Sequence, residues 1–177
     1  MIKIRILFAL ILVTLFSIIP SPALAYSYSG IHWDTSEVYF NVDSGLGIDP
    51  WRYGIAGGAG TWTNCDADFN FYFDTGSSNV WYTDYWEANE IGATWITYSN
   101  NIILDCDSAF NTYFSWSYGG GGGTYDTWTV ALHEFGHWLN LGDLYSGSDK
   151  VMYYAYTGVK QSLTSDDIDG IIAIYGE

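Results

Sequence analysis

The segment His133-Glu134-Phe135-Gly136-His137 carries two imidazoles four positions apart, with a carboxylate beside the first. On a helix, positions four apart lie about 40° apart around the axis and about 6 Å along it. Two rings so placed can both reach one zinc ion at about 2.1 Å. Glu134 is badly placed to share that ion but well placed to take a proton from a water beside it. This is the H-E-x-x-H arrangement, whose chemistry is zinc-assisted hydrolysis. The bland alternative is two unrelated histidines on one helix face, but two of the three histidines in the chain fall in this one pattern.

A zinc ion that does chemistry needs three protein ligands and one open position. No histidine follows His137, so a third ligand from the residues after it must be another kind of group. The run continues Trp138-Leu139-Asn140-Leu141-Gly142-Asp143. In register and length it resembles the metzincin signature H-E-x-x-H-x-x-G-x-x-H. Asn140 stands in place of the glycine that ends the helix, and asparagine is the next residue to visit the left-handed region cheaply. Asp143 stands in place of the third histidine. The resemblance implies Asp143 as third ligand, as in the snapalysin subgroup, through a hard oxygen at about 2.0–2.2 Å. Otherwise Asp143 is a loop carboxylate, and His32 or solvent completes the site.

Two further blocks resemble the matrixin branch. Lys150-Val-Met152-Tyr-Tyr-Ala-Tyr156 is similar to the Met-turn, where a methionine underlies the metal ligands; taken alone, Met152 would read as plain core. Leu163 to Gly176 is similar to the matrixin C-terminal helix. The fold implied is an α+β metzincin-like zincin domain: a mixed twisted sheet, an active-site helix, a Met-turn and a C-terminal helix. The activity implied is peptide-bond hydrolysis with one catalytic Zn2+, Glu134 activating water, and a protein or peptide as substrate. Tyr154 lies two residues past Met152, where astacin-like metzincins carry a tyrosine. It is a candidate oxyanion stabiliser or a wall of the pocket. Asp105 and Asp107 stand where matrixins bind Ca2+, with Ser108 replacing the usual glutamate. The histidines of the matrixin structural zinc are missing, and no propeptide cysteine switch is visible. The rival reading is a secreted binding or structural module that keeps the fold without turnover.

The elements that must position these groups are partly legible. Glu37–Val42, Asp68–Phe73, Trp95–Tyr98 and Asn101–Leu104 read as strands, being rich in β-branched and aromatic residues. Trp51–Trp62 reads as a helix opened by Pro50 and weakened by Gly54, Gly57, Gly58 and Gly60. Gly119–Gly123 is a flexible loop. Thr127–Leu139 is the helix bearing the histidines, capped by Asp126 or Thr127. Thr164-Ser-Asp-Asp167 is a capping box that opens a last helix, in which Ile168, Ile171, Ile172 and Tyr175 form one buried stripe. The aromatic residues, 19% of the chain, read as core material, with a sugar-binding platform as the sharper alternative.

The 177 residues suit one domain, residues 26–177, after a secretory signal peptide over residues 1–25. Lys3 and Arg5 form its basic head, Ile6–Ile19 its apolar stretch, and Ala23-Leu24-Ala25 its cleavage site. The apolar stretch is short for a membrane span. The expectation is therefore a secreted monomer with no stable membrane insertion. Five basic residues against 20 acidic ones give a net charge of −15, which repels phosphate backbones and excludes nucleic acid as partner. The carboxylates serve solubility, or in part calcium. Cys65 and Cys106 are the only cysteines, and in an exported chain such a pair is expected to form one disulfide.

Overall fold

The computed structural model describes residues 26–87 and 89–177. The predicted signal peptide, residues 1–25, lies outside the described residues. A five-stranded sheet in the order β3-β2-β4-β6-β5 is built from β2 (Glu37–Val42), β3 (Asn70–Phe73), β4 (Val80–Asp84), β5 (Gly92–Ser99) and β6 (Ile102–Asn111). The β2–β3, β2–β4 and β4–β6 pairs are parallel, and only β5 runs antiparallel, as an edge strand against β6. Asn100 and Asn101, both with positive φ (52° and 66°), form the two-residue turn of that hairpin. The mixed sheet and its helices make the α+β metzincin-like fold.

Three helices accompany the sheet: α1 (Tyr53–Thr63), α2 (Thr127–Trp138) and α3 (Ser165–Tyr175). Short strands pair around them. The first, β1 (Ser27–Tyr28), pairs with β9 (Leu141–Gly142), and β7 (Trp116–Ser117) pairs with β8 (Tyr125–Asp126). A wide turn, Ile48–Arg52, leads into α1, which starts at Tyr53 rather than Trp51 because Asp49 is extended. The strand at Trp95–Tyr98 begins earlier, at Gly92, and the one at Asn101–Leu104 runs on to Asn111. The capping box at Thr164 is as expected: its hydroxyl accepts from the Asp167 N–H, and the Asp167 carboxylate accepts from the Thr164 N–H.

The glycines of α1 have a packing reason. A Cβ on Gly58 would come within 2.8 Å of the Ala131 and Leu132 backbone, and Gly54 and Gly57 likewise abut Thr127 and Trp128. The α1 helix gives up intrinsic propensity and gains a close approach to α2. Between sheet and helix the core is aromatic, although other aromatic residues, Trp95 and Tyr145 among them, are exposed. Phe135 of α2 meets Phe40, Phe71 and Trp81 of the sheet at ring distances of 5.3, 4.7 and 5.0 Å. Burying such rings supplies both apolar area and edge-to-face attraction.

The expected disulfide is absent. Cys65 and Cys106 are free thiols. Cys106 is fully buried in β6, and Cys65 is half-buried in the connection between α1 and β3, with β2 and β4 lying between β3 and β6 in the sheet. Burial pushes both thiol pKa values up, so each behaves as a small neutral hydrophobe instead of an attacking thiolate.

Candidate metal centre

Asp126 caps α2. This buried carboxylate accepts from the Thr129 N–H at 3.1 Å and the Trp128 N–H at 3.4 Å. From that start the helix turns Leu132, Phe135 and Trp138 into the core and presents His133 and His137 to a cleft of about 750 Å³. Both histidine side chains are about one-fifth exposed, at 19% and 22%. Their rings stand perpendicular with centroids 4.7 Å apart.

Backbone carbonyls fix both rings. His133 Nδ1 lies 2.8 Å from the Val151 carbonyl oxygen, and His137 Nδ1 lies 2.8 Å from that of Leu141. A carbonyl only accepts, so each Nδ1 donates; His133 Nε2 donates to Asp143 while that ring is protonated, and either ring offers its Nε2 lone pair once neutral. After α2, Asn140 takes φ 62°, the left-handed conformation expected of it. Its side-chain amide holds the Ile31 carbonyl and the Ser29 hydroxyl. The chain then runs through β9 and delivers Asp143 to the two rings. Asp143 Oδ1 sits 3.3 Å from His133 Nε2 and 3.8 Å from His137 Nε2.

These spacings can be tested against an ion. Four ligands at about 2.0–2.1 Å in a tetrahedron lie about 3.3–3.4 Å from one another. The two imidazole–carboxylate separations are close to that edge length, and all three ligand atoms fall within 4.8 Å of one another. The donor set fits zinc. Among the described residues no other three such side chains come together. His32 stands apart, bridged to Ile102 and bonded to the Tyr28 hydroxyl. Asp105 and Asp107 join no group of three, and Asp107 instead accepts from the Val80 N–H at 2.8 Å.

The charges interlock. The hydrogen bond from His133, against partial burial, holds the Asp143 carboxyl below its ordinary pKa. Burial would depress the His133 pKa, but its hydrogen bond to Asp143, with help from Glu134 and Val151, raises it on balance. Burial and the neighbouring His133 hold His137 below the usual histidine value.

Under the helix, Met152 is 2% exposed with its sulfur against Gly136. The turn bearing it is pinned from α3. Asp167 accepts from the Val151 N–H at 3.2 Å and the Met152 N–H at 3.4 Å. The peptide joining these residues therefore donates to Asp167 and accepts from His133. From sequence, Asp167 read only as a cap residue. Glu134 is almost buried, at 5% exposure, and one of its oxygens accepts from the Thr94 hydroxyl at 2.7 Å. Thr94, on β5, carried no signal in the sequence. Tyr154 lines the cleft, exposed and tilted against Tyr145 with ring centroids 5.1 Å apart.

The chain is similar to known proteins. The Matrixin family matches residues 27–176. Karilysin of Tannerella forsythia is 40% identical over 79 residues, 45% of this chain and 15% of that protein. Human (Homo sapiens) matrix metalloproteinase-25 is 38% identical over 78 residues, 40% of this chain and 14% of that protein. The chain thus covers only about a seventh of the length of these relatives.

Proposed function

The chain belongs to the matrixin family, and on that premise we propose that it is a secreted endopeptidase that hydrolyses peptide bonds with a zinc ion held by His133, His137 and Asp143. The observation that carries the reading is the convergence of Asp143 Oδ1 on the two Nε2 atoms, at 3.3 and 3.8 Å. Bound there, zinc supplies a Lewis acid that lowers the pKa of water and polarises a carbonyl. Asp143 brings a negative charge in place of a third imidazole, which makes that Lewis acid milder.

The chain's own residues supply the rest. Beside the cleft runs β5, whose free edge can take an extended peptide as an added strand. Glu134 accepts the proton of the attacking water and passes it to the leaving amine. Its enclosure keeps bulk water from competing for that proton. Tyr154, which lines the cleft, takes the role of donor to the developing oxyanion. Met152 and Asp167 hold the floor under the ligands. Secretion rests on the leader-like residues 1–25. No helix among the described residues is long and apolar enough to cross a membrane.

The test is a casein or gelatin assay on purified protein with and without chelator, alongside its zinc stoichiometry. Glu134→Gln should abolish cleavage while one zinc stays bound. A variant cutting as fast as the parent would refute Glu134 as the base. A zinc-loaded parent that cuts nothing would point instead to a binding module built on the same fold.

A further inference from the structure

Glu134 is held from behind by a chain of hydrogen bonds whose direction is fixed at both ends. Trp138 Nε1 lies 2.7 Å from Ser108 Oγ, Ser108 Oγ lies 2.6 Å from Thr94 Oγ1, and Thr94 Oγ1 lies 2.7 Å from Glu134 Oε2. An indole N–H can only donate, and a carboxylate can only accept. Ser108 therefore accepts from Trp138 and donates to Thr94, and Thr94 donates to Glu134. No other assignment of the two hydroxyl protons satisfies all three bonds.

Each link has a reason to be where it is. Thr94 and Ser108 are directly paired across β5 and β6, which sets their side chains side by side on one face of the sheet. Trp138 lies one helical turn beyond Glu134 on α2. Ser108 and Trp138 are fully buried, so water does not compete for these bonds. On the other side of the carboxylate, a Cβ on Gly92 would come within 2.8 Å of Glu134 Oε1, so only bare backbone fits there. One oxygen is tethered. Among the described residues no hydrogen-bond donor reaches the other.

Resting on the proposed function, we infer that Thr94, Ser108 and Trp138 are positioning residues that hold the Glu134 carboxylate in one orientation, Oε2 anchored to the sheet and Oε1 left for the water proton. The chain joins the helix carrying the base to the strand that borders the cleft. The base and the strand that takes the peptide are thereby kept in register.

Zinc-loaded parent, Thr94→Val, Thr94→Ser and Ser108→Ala are compared for kcat and KM on a cleaved peptide, for zinc stoichiometry and for melting temperature. Thr94→Val should lower kcat by about 10–100-fold, the usual range for outer hydrogen-bond partners, with KM within about twofold. Its zinc content should match the parent. Thr94→Ser, which keeps the hydroxyl, should recover most of the rate, and Ser108→Ala should fall between. A crystal structure of zinc-loaded Thr94→Val should show the carboxylate turned from its place. An unmoved carboxylate, or a Thr94→Val variant with the parent's kcat, overturns the inference. An inactive parent would count against the proposed function alone, because the carboxylate's position still decides this one.

Discussion

The sulfur of Met152 occupies the place where a side chain on residue 136 would have to go: a Cβ built on Gly136 overlaps Met152 Sδ and comes within 3.0 Å of its Cε and 3.2 Å of Trp62 Cζ2. Gly136→Ala should therefore overpack the floor of the metal site. The expected loss is about 1–3 kcal/mol. For a chain of this size that is a fall in Tm of about 3–10 °C. Met152→Ala in the same chain should restore part of it, since the two positions share one volume. Additive losses in calorimetry would show that they do not.

Asp143→Ala should weaken zinc binding by more than about a hundredfold, beyond what loss of an outer hydrogen bond does. His32→Ala should leave affinity unchanged, because His32 belongs to the β6 end of the molecule and not to the cluster. Competition titration with a chromophoric chelator measures both. The reverse ranking would move the third ligand to His32.

Zinc affinity should rise with pH. Both imidazoles must be neutral to bind, and the His133 pKa stands above its ordinary value, so zinc must displace a proton there up to and somewhat above pH 6.5. Asp143, held low, is ionised throughout that window. In the metal-free protein the two histidines act oppositely. The raised pKa of His133 contributes stability that is full below about pH 6.5 and is lost as pH rises through the folded value. The lowered pKa of His137 removes stability as pH falls below about 6.5, because the unfolded chain then takes up a proton that the folded one refuses. Calorimetric zinc titrations in buffers of different ionisation enthalpy should show net proton release near pH 6. An affinity flat between about pH 5.5 and 7.5 would contradict the coupling.

Tyr154→Phe removes one hydroxyl and keeps the ring contact with Tyr145. Loss of an oxyanion donor should lower kcat by about tenfold or more and leave KM nearly alone. Unchanged turnover would leave Tyr154 as a wall of the cleft.

The residues of the proposed metal centre stand out in the sequence because their spacing is local. His133 and His137 are one helical turn apart, and Asn140 and Asp143 follow at fixed offsets. The strand Glu37–Val42 and the capping box at Thr164 were legible for the same reason. What supports Glu134 was not. Thr94 and Ser108 meet only through the β5–β6 register, and nothing in a threonine or a serine announces its cross-strand partner. The strand Val80–Asp84 and the second half of β6 carry little sequence signal, because Asp105–Asn111 mixes polar and small residues that its place between two strands overrides. A pair of cysteines in a sequence does not tell which thiols the core will enclose, and here it encloses Cys106.

The glycine face of α1 bears on how the molecule assembles. A helix with four glycines in eleven residues has little tendency to form alone. It must condense on α2, and α2 in turn lacks a wall until α1 arrives. The two should open and close as one cooperative unit in hydrogen exchange, so the scaffold that aligns the histidines is either whole or missing, with no half-built state in which a metal could be loosely held.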